Sequence, residues 1–233
     1  MKIGILLTDH VIDKLIPKHG DQDSFYLNLL PKLNNKVSLE IYDIEKGEYP
    51  DDINKCDGYI ITGSKVSTYD NLPWIRELEN FIQLLHEKRK SLIGVCFGHQ
   101  LIAQALGGKV EKVGWTVGTH KYKYLQRNLN FNLPENLRLI HSHQDQVTHL
   151  PENALLIAST ETVPNAFFTV DNHILSIQGH PEFTPKYAAD VASTRKELLG
   201  KEKYEYALNT LTNDLSDNKE GAIMWLNFFE SNL

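Results

Sequence analysis

Cysteine is scarce: Cys56 and Cys96 are the only two in 233 residues. Two are too few for a disulfide scaffold, so reduced thiols and a cytoplasmic setting are expected, with Cys56 in a polar, loop-like run. Basic charge is short as well. Lys and Arg number 24 against 30 Asp and Glu, a formal net charge of −6. A nucleic-acid partner needs clustered Lys and Arg to release counterions, so none is expected. Long apolar runs are missing: nothing approaches the ~18 residues of a membrane span. The apolar residues 3–7 break at Thr8-Asp9-His10 with no small-residue cleavage site, and read as a first strand rather than a leader. Gly107-Gly108-Lys109 lacks the spacing of a phosphate loop, and no Gly-x-Gly-x-x-Gly follows a strand. No cofactor is expected, and no internal repeat, low-complexity tract or linker divides the chain.

What is present is an ordinary globular composition, 41% hydrophobic and 23% charged, enough for one domain over residues 1–233. Strand-like runs at 2–8, 37–43, 58–62 and 92–95 alternate with helix-like segments at 23–33, 73–88 and 98–106. This is the pattern of a parallel sheet with crossover helices, an α/β fold. Ile75, Leu78, Ile82 and Leu85 recur at helical spacing, Pro73 suits a first turn, and Gly107-Gly108 closes the third helix. Short strands follow at 121–125, 137–140, 154–159, 166–170 and 173–178, with a small β extension around 109–126. After Pro185 the pattern turns helical, so the core is about 1–185 and a helical tail about 186–233. Asp217 and Glu220 suggest a capping pair for its last helix. Phe167, Phe168, Trp225, Phe228 and Phe229 are expected in the core.

The most informative stretch is Gly94-Val95-Cys96-Phe97-Gly98-His99-Gln100, where an apolar strand meets Gly-x-Cys-x-Gly and then a helix. It is the cysteine counterpart of a nucleophile elbow. Flanking glycines allow the sharp bend and the close approach of neighbouring elements. Cys96 then faces the positive end of the following helix, which suits an anionic sulfur, and the Phe97 N–H points where an oxyanion would develop. A thiolate attacking an amide needs a proton carrier for the leaving amine and a carboxylate to orient that carrier. His180-Pro181-Glu182 supplies both. Pro181 holds His180 extended, and residues i and i+2 of an extended segment point the same way, so Glu182 reaches the imidazole and raises its pKa.

These residues together resemble the class I glutamine amidotransferase family, especially the amidotransferase domain of GMP synthase and its stand-alone relatives, over roughly residues 1–185. Members carry Gly-x-Cys-x-Gly-x-Gln after a strand and His-Pro-Glu much later. The resemblance implies a flavodoxin-like open sheet and a triad of Cys96, His180 and Glu182. It makes the Gly63 N–H a second oxyanion donor, although Thr62-Gly63-Ser64 replaces the usual Gly-Gly-Pro. Gln100 corresponds to the residue that contacts bound glutamine, and Ser142-His143-Gln144-Asp145 to a segment lining its α-amino and α-carboxylate end. Glutamine or a γ-glutamyl peptide is the implied small-molecule substrate.

Other readings carry less. His141, His143, His149 and Asp145 lack a third ligand at a characteristic spacing, and no metal is expected. Lys121, Lys123 and Arg127 suit a solvated strand face or an acidic partner. The Ser-Gly-Gly-x-Asp-Ser loop of the GMP synthase second domain has no counterpart here. Three functions compete: a free-standing hydrolase of γ-glutamyl amides, a glutaminase subunit feeding ammonia to a separate synthetase, and a non-catalytic binding module.

Overall fold

The computed structural model describes residues 1–213 and 216–233. In chain order it contains β1 (Lys2–Leu7), α1 (Ile16–His19), α2 (Gln22–Leu27), α3 (Leu30–Leu33), β2 (Ser38–Asp43), β3 (Gly58–Ile61), α4 (Pro73–Glu87), β4 (Ser91–Val95) and α5 (Phe97–Ala105). The second half adds β5 (Lys109–Lys121), β6 (Lys123–Tyr124), β7 (Arg138–His149), β8 (Ala154–Ser159), β9 (Phe167–Val170) and β10 (Ile174–Ile177). Helices α6 (Pro185–Thr194), α7 (Lys196–Thr212) and α8 (Asn218–Glu230) close the chain.

One sheet runs β2-β1-β3-β4-β10-β9-β8-β6. Its first five strands are parallel and the remainder antiparallel. Every residue of β3 and β4 is buried, as strands covered on both faces require. The Ile75, Leu78, Ile82 and Leu85 stripe of α4 is fully buried in the cluster on one face. Tyr26, Leu30 and the tail's Trp225, Phe228 and Phe229 fill the other, so the tail aromatics and Phe167-Phe168 lie in the core as expected.

Three expectations need correction. The helix expected at 23–33 is split into α2 and α3, because Pro31 has no N–H to continue the ladder. The strand expected at 121–125 shrinks to β6 at the edge of the main sheet, and the one expected at 137–140 is only the start of β7, which pairs with β5 in a much longer antiparallel ribbon set apart from that sheet. Its buried positions hold His141, His143 and Asp145, so the apolar alternation that marks a strand is missing. Cys56 sits in a loop, as expected, and is 1% exposed, tucked beside Tyr42. Asp217 precedes α8 without capping it: its carboxylate takes two hydrogen bonds from Arg138, both 3.0 Å, and so ties the tail to β7.

Candidate active site

Cys96 occupies the bend between β4 and α5 at φ 52° and ψ −99°, a left-handed conformation costly for a residue with a Cβ. Backbone bonds on every side hold it there. Cys96 N–H donates to Ile177 O at 3.0 Å, Gly98 N–H to Thr62 O at 3.1 Å, and Gln100 N–H to Cys96 O at 3.0 Å. Both flanking glycines are needed because strand and helix touch. A Cβ on Gly94 would lie 2.6 Å from Gly98 O, and one on Gly98 2.5 Å from Ile61 O.

Gly63 faces this bend from the end of β3. A Cβ there would meet His180 Cε1 at 3.0 Å and Cys96 Cβ at 3.6 Å, so the glycine lets nucleophile, imidazole and backbone converge. Its amide donates to no described residue. The carbonyl is held by Gln22 Nε2 at 2.8 Å and Thr8 Oγ1 at 3.1 Å, while the Thr62 hydroxyl donates to Gln22 Oε1 at 3.2 Å. Thr62 therefore replaces a glycine without loosening the turn. Thr8 and Gln22 carry no motif, and sequence reasoning passed them over.

His180 follows β10, and its N–H bonds Ile140 O on β7 at 2.8 Å. The ring stacks on Phe183, with centroids 3.8 Å apart, and Nδ1 donates to Glu182 Oε1 at 2.7 Å. The extended tripeptide thus aligns the two side chains as expected. Burial opposes the charged ring, yet the Glu182 carboxylate and then the Cys96 sulfur overcome it and raise His180 to about 10. Glu182 Oε2 is buried without a hydrogen-bond partner among the described residues. Tyr26, whose hydroxyl is likewise unpaired, is raised well above its ordinary value by burial and then by Glu182.

On β7 a chain of neutral groups runs along the site. Gly179 N–H donates to Tyr122 Oη (3.0 Å) and Tyr122 Oη to His141 Nε2 (3.1 Å). His141 Nδ1 then donates to His143 Nε2 (3.0 Å), and His143 Nδ1 to Asp145 O (2.9 Å). Those directions assign each ring one proton. Burial is the main cause that lowers both rings, His143 to about 3. Both ring nitrogens of His143 are thus committed to this chain of hydrogen bonds. Gln100 Nε2 reaches Asp145 O at 2.8 Å and Gln178 Oε1 at 3.2 Å. The Asp145 carboxylate accepts from Ser67 Oγ (2.5 Å) and Tyr69 Oη (3.0 Å).

Two adjoining hollows of about 450 and 350 Å³ meet at Cys96. The first contains Gly63 and His180; the second contains Gln100, His143 and Asp145; Ser142 lines both. The structure therefore gathers Cys96, Gly63, His180, Gln100, Ser142, His143 and Asp145 at one cleft, while Glu182 stands behind His180 and the Phe97 side chain is buried against Trp74. It adds Arg195, which joins α6 to α7, also lines both hollows, and donates to Ser142 Oγ at 3.0 Å. No sequence signal marked it. Elsewhere, His86, His173 and Asp171 present ligand atoms within 4.8 Å of one another. A 3.1 Å imidazole hydrogen bond and an Arg89–Asp171 pair account for that cluster.

The glutamine amidotransferase class-I model matches residues 22–195. The chain belongs to that family. Gamma-glutamyl peptidase 4 of Arabidopsis thaliana is 34% identical over 183 residues, covering 74% of this chain and 72% of that protein. The glutamine-hydrolysing GMP synthase of Porphyromonas gingivalis is 32% identical over 153 residues, 61% of this chain but 28% of the synthase. A solved glutamine amidotransferase from Thermotoga maritima, 21% identical, superposes with a TM-score of 0.74 over 98% of both chains. The flavodoxin-like architecture of this family is thus the fold of this protein. No helix among the described residues is long and apolar enough to cross a membrane.

Proposed function

We propose that this amidotransferase-family enzyme is a free-standing cytoplasmic hydrolase of γ-glutamyl amides, acting through Cys96, His180 and Glu182. The observation that carries it is the convergence at Gly63: Cys96 on its positive-φ bend and an imidazole paired with Glu182 at 2.7 Å, both against the open side of one glycine. The Cys96 sulfur attacks the γ-carbonyl carbon while the Gly63 and Phe97 N–H groups receive the oxyanion. His180 gives its proton to the leaving nitrogen as the C–N bond breaks, leaving a γ-glutamyl thioester. Water, deprotonated by the now neutral His180, cleaves the thioester to release glutamate and restore the starting state. Glu182 keeps the ring in the tautomer that presents Nε2. Gln100, Ser142, His143 and Asp145 shape the glutamyl end.

The resemblance to Gamma-glutamyl peptidase 4 across most of both chains supports action on peptides. The match to GMP synthase favours a second reading, a glutaminase subunit with a synthetase partner. Glutamate release from glutamine and from γ-glutamyl dipeptides by the isolated chain separates them. The expected result is turnover well above that of Cys96→Ala with no partner added. Activity that arises only with a synthetase favours the subunit, and none under either condition favours a binding module.

A further inference from the structure

The side of the cleft that receives the leaving amine is built differently from the glutamyl side, and its chemistry names the leaving group. The scissile nitrogen must face His180, which lies in the larger hollow and not the smaller. Beyond His180 that hollow is walled by Phe183, Tyr187 and Val191, from the segment that follows the His-Pro-Glu tripeptide, and by Arg195 of the same segment, which stands where the two hollows join and borders both. Ammonia, the leaving group from glutamine, needs neither an apolar wall nor a cation.

Charges in this hollow are balanced, with one exception. Asp9 pairs with Lys65 and takes the Lys65 N–H at 2.8 Å. His10 lies between Asp21 at 2.7 Å and Asp43 at 3.1 Å, and His180 has Glu182. Arg195 forms no ion pair with any described carboxylate. Its guanidinium is held over the Trp115 ring, 5.1 Å from the centroid, and among the described residues its one hydrogen-bond acceptor is Ser142 Oγ. Burial lowers its pKa, but a guanidinium stays charged in any protein, so an unneutralised, partly dehydrated cation faces the cleft. A planar fork with free donors matches a carboxylate.

We propose that Arg195 binds the α-carboxylate of the leaving residue, so that the preferred substrates are γ-glutamyl amino acids or peptides whose released amine carries a nearby carboxylate. The inference rests on the hydrolase reading above. Glutamine lacks that carboxylate and forgoes the contact. Phe183, Tyr187 and Val191 give the leaving residue's side chain an apolar wall, and Trp115 keeps the guanidinium in place.

The test compares γ-glutamyl-alanine, γ-glutamyl-alaninamide and glutamine with the wild type, Arg195→Ala and Arg195→Gln, the last keeping the packed stem. In the wild type, kcat/KM for γ-glutamyl-alanine should exceed that for the alaninamide on the order of 10- to 100-fold. Either substitution should collapse that ratio towards one. A wild-type ratio near one, or a loss shared equally by all three substrates, overturns the inference while leaving the hydrolase reading intact. Absence of glutamate release from every substrate overturns the hydrolase reading. Calorimetric titration of the Cys96→Ser protein judges Arg195 independently of turnover. Tighter binding of γ-glutamyl-alanine than of its amide, lost with Arg195→Gln, supports the carboxylate contact; equal binding of the two overturns it.

Discussion

The parallel half of the sheet and the β5–β7 ribbon meet at Cys96 but position their polar groups by different means. In the parallel half, backbone does the work: β3 and β4 end side by side, three main-chain hydrogen bonds fix the bend around Cys96, and glycines let strand and helix touch. In the ribbon, side chains do it. His141, His143 and Asp145 fill buried strand positions and are satisfied through Tyr122, Ser67 and Tyr69. The tail secures that region through Thr119 N–H to Thr210 Oγ1 at 3.1 Å, Lys203 Nζ to Trp115 O at 2.7 Å, and the Arg138–Asp217 pair. In the proposed mechanism, reaction geometry is thus tied to rigid main chain, and substrate recognition to exchangeable side chains.

The largest effect that separates the two falls on His180. His180→Ala should lower kcat on the order of 10³-fold, because no other imidazole in the cleft is placed to carry the proton. Retention of most activity would return His143, and with it the ribbon, to the chemistry. Glu182→Gln should cost less, about 10- to 100-fold, and should change the pH profile. Although burial opposes it, Glu182 and Cys96 raise His180 to about 10, so the imidazolium persists through neutral pH and is lost as pH rises through that value. Its contribution to stability is full below about 6.5 and vanishes over the same rise. Without the carboxylate the alkaline limb of kcat/KM should move to lower pH. An unmoved limb would show that Glu182 does not govern the ring.

Stability changes should order the regions in the same way. Gly94→Ala drives a Cβ to 2.5 Å from Ile102 Cδ1 and 2.6 Å from Gly98 O, and should destabilise by about 2–3 kcal/mol in urea titration. Arg138→Ala removes a pair whose arginine side chain is 40% exposed, and should cost about 0.5–1 kcal/mol. Equal costs would mean that the tail tether is as integral to the fold as the bend.

That contrast also explains what the sequence disclosed. Gly94 to Gln100 and His180 to Glu182 announce themselves because a strand–turn–helix bend and an i, i+2 pair are local constraints that restrict residue type at fixed spacing. The ribbon did not, since polar residues at buried strand positions hide the period of two and their partners lie far away in sequence. Thr8, Gln22 and Arg195 were silent for the same reason: each reaches the site through a single side chain across the fold. The Asp217 and Glu220 spacing misled because the Asp217 carboxylate was taken by Arg138 rather than by the start of α8.

Attack on the γ-carbonyl carbon by Cys96, and by no other group, is the step on which the proposed mechanism turns. It is tested most directly by treating the folded protein near neutral pH with an electrophilic glutamine analogue and mapping the adduct by mass spectrometry. Cys56 is the internal control, a thiol that is 1% exposed and raised by burial. One adduct is expected, on Cys96, formed in step with loss of activity and slowed by competing γ-glutamyl substrate. Equal labelling of both cysteines, an adduct on Cys56 alone, or full activity after Cys96 is modified would contradict it.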